Sequence, residues 1–147
     1  MSDTLDNPPY TKKGMTSMAE TLVTVHSIWR WLVLLGLVVA LVYGFSRSSD
    51  TAPLDKSTAR PFTFALIMLD IQVLIGLLVW VTNRAWEFDV FLAWIHPVGM
   101  LLALGVGHAI VGRATKSGRT TAYRTAAFGI LAALAIVAST IPRDAWF

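Results

Sequence analysis

The sequence predicts an all-α fold: a membrane-spanning, up-down four-helix bundle that follows a disordered N-terminal tail. Of the 147 residues, 55% are hydrophobic and only 14% are charged, a balance too apolar for a water-soluble domain of this size. The chain also contains four apolar runs of about 20 residues or more, and each is long enough as a helix to cross a hydrocarbon core of about 30 Å. The segments between the runs are short, so we expect one compact helical domain.

The polar residues 1–20 form the predicted tail, because the Pro8-Pro9 pair and the many polar side chains disfavour a packed structure. Three methionines are candidates for the native start: Met1, Met15 and Met18. The first apolar run is too long for a signal peptide and lacks a small-residue cleavage site, so we expect a retained helix. Residues 21–147 then form the domain. Its helices are predicted at about 21–45, 62–82, 90–111 and 122–141.

Basic residues predict how the bundle is oriented in the membrane. The loops after the first and third predicted helices share one side and carry seven basic residues: Arg47, Lys56, Arg60, Arg113, Lys116, Arg119 and Arg124. The side where the first helix begins carries four: Lys12, Lys13, Arg84 and Arg143. Cytoplasmic loops are enriched in lysine and arginine, so both termini are predicted to lie outside the cytoplasm. The six tryptophans fall on or near that outer side, as an interfacial belt or, alternatively, as a docking face for a partner subunit.

Several kinds of chemistry are excluded by what the sequence lacks. The chain has no cysteine, which excludes disulfides, thiolate metal sites and iron–sulfur clusters. The basic residues are those that membrane topology requires, so they do not indicate nucleic-acid binding. Four helices without an internal repeat or a broken helix pair do not indicate a transporter.

Two histidines, His26 and His96, predict the functional site. They lie about five and six residues into the first and third predicted helices, which in an up-down bundle are diagonal neighbours running in the same direction. At 1.5 Å per residue, both imidazoles come about 7–9 Å below the outer surface. Two imidazoles at one depth can ligate one iron, so we predict a bis-histidine haem b. The alternatives are a metal-free pair hydrogen-bonded to loops or neighbouring helices, and a (bacterio)chlorophyll or quinone contact.

Residues around the two histidines suit such a cofactor. Arg30 lies one turn deeper than the first histidine on the same face, where we expect it to pair with a haem propionate or to reach toward Asp70. Gly76 lies at about the depth of the pair, and Gly99 follows the second histidine by three residues. A glycine lets a flat ring approach the backbone, although either glycine equally serves helix packing. Pro97 removes a helical hydrogen bond and is expected to bend the third helix beside its histidine; the alternative is a proline that is simply tolerated near the start of a transmembrane helix.

The second predicted helix holds two strongly polar residues at depth, Asp70 and Gln72. A bare carboxylate near the middle of the bilayer is costly, so we expect Asp70 to be protonated, hydrogen-bonded, or paired with Arg30 or His108. Both residues, together with His108 of the third helix, fit an interhelical polar contact, a proton relay or a quinone contact. His108 lies about 18 Å further along the third helix than the haem ligand there. No other helix offers a histidine at its depth, so we expect a packing role, with Met68 as the alternative sulfur partner.

The strings HSIWRW, DIQVLIGLLVW and WIHPVGMLLALGVGHAIVGR stand in this order in the first three helices. They resemble small bacterial four-helix membrane proteins of the cytochrome b-like kind, over about residues 22–142. The resemblance rests on His26, Arg30, Trp31, Asp70, Gln72, Gly76, His96, Pro97 and His108. It implies a b-type haem between the first and third helices. The chain lacks the two histidines per ligating helix of larger two-haem cytochromes b, so the resemblance does not imply an electron path across the whole membrane.

We therefore expect an electron-transfer subunit of the bacterial inner membrane that binds one haem b near the extracytoplasmic side. It is expected to belong to a larger respiratory or photosynthetic complex rather than to act as a stand-alone enzyme. Its partners would be membrane lipid, that complex and, in one alternative, a quinone, but no nucleic acid. The alternative functions are a haem-free accessory or assembly subunit and a (bacterio)chlorophyll-binding subunit.

Overall fold

The computed structural model describes the backbone of residues 10–143 and the side chains of residues 18–143. Within this part the chain is helical apart from its connecting turns, which confirms the predicted all-α class. The long helices are α1 (Tyr10–Ser46), α2 (Arg60–Thr82), α3 (His96–Lys116) and α4 (Ala122–Thr140). Between α2 and α3 lie a 3₁₀ turn (Ala85–Glu87) and a π-helical turn (Phe91–Ile95) that continues into α3.

All four helices of the described part are long and apolar enough to cross a membrane. The spans are Met18–Ser46, Arg60–Thr82, Phe91–Lys116 and Ala122–Thr140. Fewer than half of the residues in each apolar window are buried inside the bundle. Large apolar side chains therefore cover its outside; Val42, Leu74 and Leu102, for example, are more than half exposed. This surface suits hydrocarbon rather than water, as in a multi-pass membrane protein.

Helix α1 begins well before its predicted start. Residues 10–20, expected in the tail, have helical backbone from Tyr10 onward. A proline, Pro9, directly precedes the helix, and prolines favour helix starts. After it only Gly14 disfavours a helix before the apolar run, so the helix extends out of the apolar zone into polar sequence. Residues 1–9 of the predicted tail lie outside the described residues.

The other helices agree with prediction except at the third, where α3 begins at His96 because the residues of its predicted first turn are π-helical, and where the end lies further on. Both ends of α2 and α4 lie within two residues of their predicted positions. The third helix was expected to end at residue 111, where the apolar run ends, but α3 continues to Lys116. Basic residues in the last turn of a helix are favourable, because they face the negative end of the helix dipole.

The four helices are arranged in a ring in which α1 and α3 stand diagonally. Helix α1 packs against α2 and α4, whereas α3 packs closely against α4 and more sparsely against α2. Small side chains at the contacts bring the backbones close together: Ala103, Ala126 and Ala133 are fully buried. The end of the bundle that carries the α1–α2 and α3–α4 loops is filled by Tyr43 and its ring contacts. The opposite end, where α2 turns into α3, contains the cavity described below.

Asp55 organises the α1–α2 loop. Its Oδ1 accepts hydrogen bonds from the backbone N–H and the hydroxyl of both Ser57 and Thr58, over distances of 2.8–2.9 Å. The hydroxyl of Tyr43 donates to the carbonyl of Thr58 at 3.0 Å. The loop is thereby tied to α1, and Leu54 is buried against the core.

Candidate cofactor site

A cavity of about 290 Å³ lies between the helices near the α2–α3 end of the bundle. Its walls are mostly apolar, from Val23 on α1 to Val137 on α4. The side chains with polar groups that line it are His26, Arg30, Gln72, Trp80, Asn83 and His96. A mainly apolar cavity with a few converging polar groups is typical of small-molecule and cofactor sites.

The two predicted ligands meet across this cavity. The ring centroids of His26 and His96 lie 6.3 Å apart, with an angle of 79° between the ring planes. Two imidazole nitrogens bound on opposite sides of one metal ion, each at about 2.0–2.1 Å, place their ring centroids roughly 6–6.5 Å apart. The separation therefore suits two ligands of one ion.

The end of α4 fixes the ring of His96. Its Nδ1 lies 2.6 Å from the carbonyl oxygen of Thr140. Thr140 is the last residue of α4, and the last carbonyls of a helix have no partner within it. Because a carbonyl oxygen only accepts, Nδ1 carries the proton and donates it. The neutral ring then has its lone pair on Nε2, the usual state of a metal-ligating histidine whose other nitrogen is held by a backbone carbonyl.

Gly99 serves this contact from the side of α3. It does not line the cavity; a Cβ on Gly99 would overlap Cγ2 of Thr140 and lie 3.2 Å from its Cβ. The glycine therefore lets α4 approach α3 closely, which is the helix-packing alternative for this residue. Its link to the site is indirect, through the carbonyl that holds His96.

The helix around His96 is irregular because of Pro97. Proline has no N–H, so the carbonyl four residues earlier, that of Ala93, loses its normal helical donor. The indole Nε1 of Trp80 donates to this carbonyl at 2.9 Å. The π-helical turn Phe91–Ile95 immediately precedes His96, and such turns are frequent at functional sites. A tryptophan of α2 thus stabilises the irregular turn that places the imidazole.

Helix α2 holds the ring of His26. Gln72 is only 2% exposed. Its amide nitrogen donates to the backbone carbonyl of His26 at 3.1 Å and lies 3.3 Å from each ring nitrogen. A Cβ on Gly76 would lie 3.0 Å from Cε1 of the ring, so this glycine makes room for the imidazole itself. The amide oxygen of Gln72 is buried without a hydrogen-bond partner among the described residues.

A cation and several indole rings lie beside the imidazoles. Arg30 lines the cavity, and its guanidinium carbon is 5.3 Å from the ring centroid of Trp31. Trp80 packs edge-on against Trp86 and Trp94, with centroid distances of 5.1 and 5.9 Å. Both of these partners are more than 40% exposed. The site therefore combines a partly buried positive group with an aromatic surface at the end of the bundle.

Asp70 and His108 lie elsewhere. Nε2 of His108 is 3.0 and 3.2 Å from the two carboxylate oxygens of Asp70, so of the expected partners for Asp70 the structure shows His108. Neither residue lines the cavity. Met68, the alternative partner of His108, contacts α1 instead: its carbonyl accepts from Nε1 of Trp29 at 3.1 Å. The described residues contain no group of three or more histidine, cysteine, aspartate or glutamate side chains arranged to hold a metal ion.

The sequence indicated both imidazoles, Arg30, Gln72 and Gly76, but not the two backbone carbonyls that organise the surroundings of His96. The carbonyl of Thr140 carries no sequence signal of its own, although Pro142 two residues later indicates that the helix ends there. The role of Trp80 was detectable only in part, since Pro97 predicts a free carbonyl but not the residue that fills it.

No protein-family model, curated protein or solved structure matches this chain.

Proposed function

We propose that this protein is a membrane-embedded haem protein in which His26 and His96 hold a single haem b, and that it acts as an electron-transfer subunit. The observation that carries the proposal is the imidazole pair, with centroids 6.3 Å apart in a mainly apolar cavity and with one ring already fixed by a backbone carbonyl. Haem iron, when bound, supplies one-electron chemistry by alternating between its ferrous and ferric forms.

The residues of the cavity fit a haem chemically. Neutral imidazole nitrogen is a normal axial ligand of haem iron. The apolar walls exclude water, and the guanidinium of Arg30 suits the carboxylates of the macrocycle. Gln72 contacts the ring of His26 as the carbonyl of Thr140 contacts that of His96. Each ligand therefore has an outer partner that holds its ring, as is usual for metal-ligating histidines.

The position of the site suits exchange of electrons at one membrane surface rather than across the membrane. The cavity lies near the α2–α3 end of the bundle, beside the cluster of Trp80, Trp86 and Trp94. The seven-to-four bias of basic residues supports our placing this end, with both termini, on the extracytoplasmic side of a bacterial inner membrane. The connections between helices are short, so a partner would have to dock on the bundle itself. This favours a subunit of a larger respiratory or photosynthetic complex.

The experiment is to measure haem per chain after purification from haem-supplied cells, for the wild type and for His26→Ala, His96→Ala and His108→Ala. We expect about one haem per wild-type chain and a loss in the first two variants. His108→Ala should retain the haem, because this residue lies about 18 Å further along α3 than His96. The control also shows whether removing any histidine from the membrane unfolds the bundle.

Three results would overturn the proposal and favour another function. A magnesium tetrapyrrole in the extracted pigment would favour a (bacterio)chlorophyll-binding subunit. A folded protein without pigment that co-purifies stoichiometrically with a larger assembly would favour a haem-free accessory subunit. Haem that remains in both His26→Ala and His96→Ala would place the cofactor elsewhere.

A further inference from the structure

Asp70 and His108 form a polar pair on the outer surface of the bundle, where α2 meets α3. Asp70 stands at the middle of α2, and His108 lies within the span Phe91–Lys116. Nε2 of His108 is 3.0 Å from Oδ1 of Asp70, yet the two side chains remain 49% and 42% exposed, respectively. Exposed apolar side chains lie on both helices, among them Leu74, one turn after Asp70, and Leu101, about two turns before His108. In a membrane this pair would face the hydrocarbon rather than water.

The pair satisfies only part of its own hydrogen-bonding capacity. A carboxylate has about four lone-pair positions, and an imidazole has two nitrogens. The contacts of one nitrogen, Nε2 of His108, with the two oxygens of Asp70 leave the rest of this capacity exposed to hydrocarbon, which offers no partner. Ionisable residues within membrane spans normally face protein or a water-filled cavity and pair with polar groups. We therefore expect a partner on the α2–α3 surface around Asp70 and His108. Its contact surface should be apolar at the edge and carry polar groups at the depth of this pair.

A second copy of the chain meets this requirement by symmetry. Two copies with the same orientation in one membrane are related by an axis along the membrane normal, and rotation about that axis preserves depth. The Asp70–His108 pair of one copy therefore faces the same pair of the other at an equal depth. Nδ1 of each His108, which does not contact its own Asp70, then meets the carboxyl group of the opposite Asp70. Any other partner would need its own polar group at this level.

Small residues leave room for close approach at the same place. Gly105 and Gly112 lie about one turn before and one turn after His108 on α3. A Cβ at either glycine would meet no atom within 4 Å. Membrane helices associate closely where small residues line the contact, and polar side chains add hydrogen bonds across it. The recess next to the polar pair thus suits the backbone of an approaching helix.

From this charge complementarity and this shape we infer that the α2–α3 surface is the interface of a symmetric homodimer, with the two Asp70–His108 pairs hydrogen-bonded across the axis. This inference does not depend on haem, because neither residue lines the cavity.

The absence of cysteine from the chain allows a clean cross-linking test in native membranes. Gly105→Cys places a thiol beside the proposed axis at a site where the added atoms meet nothing within the monomer. Leu35→Cys is the matched control: Leu35 is 60% exposed and lies as many residues before the end of α1 as Gly105 lies before the end of α3. We expect oxidation to convert most of the Gly105→Cys protein into a species of twice the 16.1 kDa chain mass, whereas Leu35→Cys stays monomeric.

A second experiment removes the polar contact of Asp70 and His108 but leaves the rest of the α2–α3 surface unchanged. Asp70→Asn combined with His108→Leu should abolish the Gly105→Cys dimer while circular dichroism shows unchanged helix content. Equal cross-linking of Gly105→Cys and Leu35→Cys, or a Gly105→Cys dimer that persists in this combination, would overturn the inference. So would a monomer in lipid bilayers that retains a quinone through purification, since the pair would then serve a redox lipid.

Discussion

The sharpest test of the packing beside the imidazoles is the substitution Gly99→Ala. The new Cβ would overlap Cγ2 of Thr140 and lie 3.2 Å from its Cβ. Adding atoms to a packed contact typically costs about 1–3 kcal/mol. Replacing glycine by alanine within a helix gains about 0.5–1 kcal/mol at the same time. The effect of the contact therefore has to be separated from the gain in helix propensity.

Gly36→Ala provides this separation. A Cβ on Gly36 would lie 3.1 Å from the sulfur of Met68, and a methionine side chain can move aside. This variant therefore receives the helix-propensity gain with little of the clash. We expect the free energy of unfolding of Gly99→Ala to fall below that of Gly36→Ala by about 1–3 kcal/mol. The measurement is reversible unfolding in mixed detergent micelles, followed by circular dichroism.

A second substitution tests whether the cost arises at the named contact. Thr140→Ser deletes the methyl group Cγ2 but keeps the hydroxyl and the backbone carbonyl that holds His96. Combined with Gly99→Ala, it should recover most of the lost stability. If Gly99→Ala is as stable as Gly36→Ala, or if Thr140→Ser does not restore it, the account of how α4 packs against α3 at this site is wrong.

Three further substitutions test other parts of the structure. Trp80→Phe leaves the carbonyl of Ala93 without its donor and should lower the free energy of unfolding by about 1–3 kcal/mol in the same assay; no change would show that the indole bond is dispensable. Gln72→Leu removes the amide that holds the ring of His26. It should weaken the affinity for haem about 10–100-fold when the haem-free protein is titrated with haem. The free energy of unfolding of the same variant is the control for a loss of structure. The backbone N–H of Thr58 is the main cause that lowers the pKa of Asp55 from 3.8 to about 2. The stabilising effect of the ionised Asp55 carboxylate should therefore be complete above about pH 4 and be lost as the pH falls through about 2. The Asp55→Ala variant should lack this acid-dependent change in the thermal midpoint of unfolding.

The number of helices and their diagonal arrangement could be predicted because the first depends on the length of the apolar runs and the second on the short connections between them. Runs of this length need a helix to satisfy the backbone within hydrocarbon, and short connections make successive helices antiparallel. The start of α1 and the end of α3 were not predictable in the same way. Both lie in polar sequence beyond the apolar zone, where hydropathy no longer marks a boundary and helix propensity decides.

Counting helical rise was enough to bring His26 and His96 together, since depth and helix direction determine which side chains can meet. It was less informative for Gly99, because depth does not tell which neighbour a residue faces; the structure turns it toward Thr140. Counting helical rise did not single out His108 as the partner of Asp70, because Arg30 was an equally possible partner. Long side chains reach across differences in depth, so only the packing of α2 against α3 selects the pair.

The most direct measurement for the central claim is the dithionite-reduced minus oxidised absorbance spectrum of the protein purified from haem-supplied cells. Two imidazoles on one haem iron predict the α-band of a low-spin b-type haem, abolished when either His26 or His96 is replaced by alanine. A folded, helical protein that shows no such band after haem has been supplied would contradict the account.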